Sequence, residues 1–159
     1  MKKALILTVF LFANLHAENN YSTKAEWLMD TKTDKEKFQK IQGQLRGFDL
    51  AMVEVGYRFN SLYFAIKDKN YDLAQYNWDK IKKAIINGTQ RRPKRKKSSE
   101  VIFLDKEYKI MSDALASKDE KTIQKEYENT KELCNSCHIA ERVPFIRVID
   151  PKYRWQPIE

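Results

Sequence analysis

From Asp34 onward, apolar residues recur in alternating steps of three and four. Phe38, Ile41, Leu45, Phe48, Met52, Val55, Phe59, Leu62 and Ile66 form one such stripe without a break. That period predicts a single amphipathic helix of about 33 residues, roughly 50 Å long at 1.5 Å per residue. Gly43, Gly47 and Gly56 fall off the stripe, where each lowers helix propensity and allows close approach. Asp68-Lys69-Asn70 interrupts the rhythm and supplies caps. Tyr71, Ala74, Trp78, Ile81 and Ile85 then predict a second helix, with Asn87-Gly88 as its stop signal. Residues 89–99 read as a polar connector. Ser98 or Ser99 is placed to cap a third helix carrying Val101, Leu104, Tyr108, Met111 and Leu115, which ends at the turn Ser117-Lys118-Asp119. A fourth helix carries Ile123, Tyr127, Thr130, Cys134 and Cys137, and Pro144 marks its end.

Four helices with short turns predict an all-α, up-down-up-down four-helix bundle over residues 34–143. The chain has 159 residues, enough for one core but not comfortably two. Residues 18–33 are polar and aperiodic and read as a flexible lead-in. The tail, 144–159, sets Pro144, Pro151 and Pro157 among Phe145, Ile146, Val148, Ile149, Tyr153 and Trp155, and is too apolar for plain disorder. It is expected to lie against the bundle.

The first 17 residues have the build of an export leader. Lys2 and Lys3 precede an apolar run from Ala4 to Leu15, and Ala17 offers a small residue before Glu18. The run is short for a bilayer span, which favours cleavage after Ala17 over anchoring. Export to the periplasm and a soluble mature protein are therefore expected. Cleavage would also remove His16, leaving His138 as the one histidine of the mature chain.

Lysine and arginine outnumber aspartate and glutamate 30 to 22, for a formal net charge of +8. Part of that excess sits in one run, Arg91, Arg92, Lys94, Arg95, Lys96 and Lys97 around Pro93. In a cytosolic protein such a run would suggest nucleic acid, which an exported chain seldom meets. A solvated loop, or a patch steering an acidic redox partner protein or an anionic surface, remains.

The chain has two cysteines, three positions apart, in Cys134-Asn135-Ser136-Cys137-His138. A disulfide across two residues would close almost no chain. A thioredoxin-like motif wants a βαβ setting, and a zinc site lacks its second ligand pair. Two thiols on one helical turn with an imidazole beside them suit covalent capture of a porphyrin through its vinyl groups, with His138 on the iron. The expected cofactor is thus one haem c. Without a second histidine, the sixth iron position falls to a methionine, an amine, water or nothing. Met52 is favoured over Met29 and Met111 because it sits mid-way along the first apolar stripe, although methionine equally fills core volume. Arg58 and Arg142 are candidates to pair with haem propionates.

Four helical stretches with CXXCH near the end of the last resemble the cytochrome c′ class of bundle cytochromes and its methionine-ligated relatives. The likeness spans about residues 34–143, and only Cys134, Cys137 and His138 are specific to it. It implies thioether bonds at both cysteines, His138 as proximal ligand and a first-helix residue on the distal side, for which Met52 is the candidate. Ile139 after the histidine, the long tail and the basic connector depart from the pattern. The tail would shield the haem edge or replace a homodimer contact. The expected function is single-electron transfer, with no catalytic acid or base in view. The alternative is a five-coordinate haem protein that binds nitric oxide or carbon monoxide, with Met52, Phe48 and Val55 only lining the distal side. A peroxidase ranks below both for want of a distal proton shuttle.

Overall fold

A computed structural model describes residues 27–155 and 157. The expected leader, and the lead-in up to residue 26, lie outside the described residues. The chain divides into two compact units, residues 1–41 and 42–159.

In the first unit, Trp27–Asp30 form a turn in which Thr31 donates its hydroxyl to the Leu28 carbonyl. A helix, α1 (Asp34–Gln44), starts on a reciprocal cap. The Glu36 amide donates to the Thr33 hydroxyl, while the Glu36 carboxylate accepts from the amides of Lys32 and Thr33.

The single long helix expected from Asp34 is two. Arg46 takes a left-handed backbone conformation, φ 55°, and α2 (Phe48–Lys67) begins after it. Asp49 holds the break by accepting from the Gly47 amide at 3.0 Å and pairing with Arg46. The hydrophobic period survives the interruption, so periodicity alone missed it.

Beyond Asp68–Asn70 runs α3 (Tyr71–Arg91), whose first turn is capped by Asn70 through the Leu73 amide at 3.1 Å. Gly88 does not stop this helix. It lies buried where α2 crosses, and a Cβ there would stand 2.8 Å from the Ala51 Cβ and 2.9 Å from the Phe48 ring. Nor is the connector an open loop. Pro93–Arg95 make a tight 3₁₀ turn, α4 (Lys96–Ser99) follows, and Glu100–Leu104 widen into a π turn. The wider turn takes up one extra residue, so Phe103 and Glu107 point inward while Val101 faces out. Leu104 and Tyr108 pack at the rim of the core. Then come α5 (Glu107–Ser117) and α6 (Glu120–Ala140), the latter capped by Asp119 through the Thr122 amide at 2.8 Å.

The second unit is all-helical among its described residues, with α2, α3, the α4–α5 stretch and α6 as its four limbs. Their contacts run antiparallel at each step. Gly88 meets Phe48 and Ala51; Gln75 reaches Ser112 and Asp79 reaches Tyr108; Lys69 pairs with Glu120 at 2.5 Å. The core is built on Leu62, Trp78, Met111, Ile123 and Tyr127, all fully buried. Phe59 stacks on Tyr127 with centroids 5.1 Å apart, and the Trp78 indole donates to the Tyr108 carbonyl. Residues 144–155 form a strap whose inner side is held by Asn135, Lys131, Asn60 and Asp68. Among the described residues no helix is long and apolar enough to cross a membrane.

Candidate haem-attachment site

Cys134, Cys137 and His138 lie in the last two turns of α6, on the stripe continued from Ile123, Tyr127 and Thr130. Both cysteines are partly buried and carry free thiols. Burial pushes the Cys134 thiol up to about 12, reinforced by Cys137 and by Glu107. Burial also raises Cys137, and the Arg95 guanidinium pulls it back down. Burial thus favours the uncharged thiol at both sulfurs.

His138 is oriented by the backbone. Its Nδ1 stands 2.7 Å from the Ile146 carbonyl oxygen. A carbonyl only accepts, so Nδ1 carries a proton, and in the neutral imidazole Nε2 is then the nitrogen with a lone pair for a metal. Asn135, between the cysteines, fixes the same segment. Its amide nitrogen donates to the Val148 carbonyl at 3.1 Å, and its oxygen accepts from the Val148 amide at 2.8 Å. Sequence reasoning missed both supports. Ile146 acts through a main-chain atom, which no side-chain pattern signals, and Asn135 sits at a position the motif leaves free.

Three contacts set α2 against α6: the Lys69–Glu120 pair, the Phe59–Tyr127 stack, and the Tyr63–Tyr127 ring contact at 5.5 Å. The helices therefore run antiparallel. Seven residues back from Phe59 and seven on from Tyr127 are each about 10 Å along the axis. That step brings Met52 level with Cys134, and one further turn brings Phe48 level with His138. Met52 is partly buried against the core. Met111 is fully enclosed on α5, and Met29 belongs to the first unit.

Beside the motif opens a cleft of about 570 Å³ between residues 92–95 and residues 140–142. Arg92, Lys94, Arg95 and Arg142 make it basic. Arg95 also clasps the end of α6, pairing with the Glu141 carboxylate and donating to the Glu141 carbonyl at 3.1 Å. Arg95 thus ties the basic run to the end of α6, while Arg92, Lys94, Lys96 and Lys97 remain exposed to solvent. Arg58 lies elsewhere, its guanidinium over the rings of Tyr57 and Tyr76. Deeper in, Glu107 is buried and accepts from the Thr130 hydroxyl at 2.6 Å, one turn before Cys134. Burial raises its carboxyl above the ordinary range, as does the Glu126 charge, against a lowering by the Thr130 hydrogen bond.

Among the described residues no group of three or more histidines, cysteines, aspartates or glutamates is gathered to hold a metal ion by side chains alone. The donor set does fit a porphyrin iron, which needs two thiols for its periphery and one imidazole nitrogen for its metal. No protein-family model, no curated protein and no solved structure matches the chain.

Proposed function

We propose that this protein is an exported monohaem c-type cytochrome that carries single electrons in the periplasm. The observation that carries the reading is the imidazole of His138, its Nδ1 proton committed to Ile146 and its Nε2 open, directly after two free thiols on one helical face. Cys134 and Cys137 would form the thioethers and His138 would ligate the iron. A bound haem would supply an iron centre that shuttles between ferric and ferrous states. Around it this chain's residues have distinct tasks. Ile146 holds the ligand ring, Asn135 holds the segment that carries Ile146, and Met52 faces the same level from α2. The basic cleft offers cations to the propionates, Arg142 among them. Lys94, Lys96 and Lys97 lie exposed on the same corner and would steer an acidic partner protein.

The test is maturation of the full chain in a host that expresses the cytochrome c assembly machinery. The expected product is coloured, keeps one haem's mass on the denatured polypeptide and leaves neither thiol open to alkylation. A colourless chain with both thiols alkylated refutes the reading.

A further inference from the structure

The strap that closes the structure has two unlike sides. Its inner side is pinned. Val148 packs on the core, Asp150 pairs with Lys131 at 2.8 Å, and Arg154 pairs with Asp68 at 2.6 Å. Asn60 donates to the Tyr153 carbonyl at 2.9 Å and accepts from the Trp155 amide at 3.2 Å. Its outer side is apolar. Phe145 is 80% exposed, Tyr153 76%, Trp155 66% and Ile149 61%. Between them stand Arg147 and Lys152, both exposed and without an acidic partner among the described residues. The strap's one acid in this stretch, Asp150, is turned to Lys131.

The four large apolar side chains on this side, all exposed within residues 145–155, form a run, and it is such runs rather than single exposed residues that mark interaction surfaces. The four are strung along an extended segment at most about 35 Å long, rather than gathered into the compact centre typical of a protein interface. Aromatic rings alternating with lysine and arginine suit the headgroup layer, where tryptophan and tyrosine settle and cations meet anionic lipid. Because the backbone is already fixed by two asparagine amides, docking would cost little ordering entropy.

We infer that the outer side of the strap is a peripheral docking surface for an anionic lipid bilayer, with Phe145, Ile149, Tyr153 and Trp155 entering the interface and Arg147 and Lys152 held at the headgroups. The strap runs from the Ile146–His138 contact to Arg154 at Asp68, near the start of α6, so the docked protein lays this flank, motif included, along the membrane. The inference is independent of whether a haem is bound.

The experiment is co-sedimentation of the purified full chain with vesicles of phosphatidylcholine, alone or mixed with phosphatidylglycerol. N-terminal sequencing records whether the Ala4–Leu15 run is retained, and every variant is compared at the same N-terminus. Binding is expected only to the mixed vesicles, weakened severalfold at about 0.5 M salt. Arg147→Glu with Lys152→Glu should weaken partition by about tenfold or more. Phe145→Ser with Ile149→Ser and Trp155→Ser should abolish it. All these side chains are exposed, and unchanged helical circular dichroism checks that the fold is kept. No binding to mixed vesicles overturns the inference. So does binding that survives both sets of substitutions but is lost on Lys94→Glu with Lys97→Glu, which would place it on the basic corner. A strap-dependent complex with a soluble acidic protein, in a chain that ignores lipid, likewise defeats it.

Discussion

Asn135 holds Val148 by both ends of its side-chain amide, at 3.1 and 2.8 Å. Two residues before Val148, the Ile146 carbonyl holds His138. One of the two residues between the motif cysteines thus braces the group that orients the imidazole. Asn135→Ala removes both hydrogen bonds, and at the net worth of such bonds it should destabilise the chain by about 1–3 kcal/mol. Thermal unfolding measures that loss. Amide hydrogen exchange should report early opening at Val148, with α3 unaffected. Protection of Val148 equal to wild type would contradict this.

Met52 lies level with Cys134 across the bundle, so its replacement separates electron transfer from gas binding. With a thioether on the iron, the ferric wild type is low-spin and takes up carbon monoxide slowly when reduced. Met52→Ala should then become high-spin and bind carbon monoxide at once. A wild type already high-spin and quick to bind would shift the function toward gas capture, with Met52 merely lining the space.

Glu107 is expected to make stability fall as pH rises. Its folded-state pKa stands above the ordinary 4.5 because burial disfavours the charged form. The folded chain therefore prefers the protonated acid, and stability is lost as pH climbs from below 4.5 through the raised value. Glu107→Gln keeps an acceptor for Thr130 and removes the titration. Urea midpoints measured across that window should drop less for Glu107→Gln than for wild type. Parallel drops would argue against it.

Glycine positions should respond in opposite directions. Gly88→Ala would force a Cβ to 2.8 Å from that of Ala51, and overpacking of this kind costs about 1–3 kcal/mol. Gly56→Ala meets open space inside α2 and should stabilise by about 0.5–1 kcal/mol. Denaturant midpoints decide both.

The contrast at Gly88 also explains which helix ends were legible. Glycine after asparagine reads as a stop, but here it serves the crossing of α2 and α3. Four helix ends are instead followed by a left-handed residue, Arg46, Lys69, Lys118 and Arg142, φ 55–62°. Lys69 and Lys118 fall in the breaks that Asp68-Lys69-Asn70 and Ser117-Lys118-Asp119 announce, whereas Arg46 and Arg142, cations that suit a helix C-terminus, carry no turn signal. The cap at Asn70 was readable because its side-chain type accepts from a first-turn amide, while Asp119, read only as part of a turn, proves to cap α6 in the same way. The stripe on α6 was readable for a similar reason, since Ile123, Tyr127 and Thr130 all face the core. Around the motif, the three reactive side chains were plain in the sequence. Their supports were not, because they come from a backbone carbonyl and from a tail docked against α6 through Asn135.

The π turn at Glu100–Leu104 gives this chain a point of rotational leverage. One residue of helix is about 100° of rotation. Shortening the turn by a single residue would restore an α-helical period there and swing the preceding segment around its own axis. Phe103 would leave the Trp78 ring it now meets at 5.0 Å, and Arg95 would lose its aim at Glu141. A length change harmless in most surface loops would here unfasten the basic corner from the end of the motif helix.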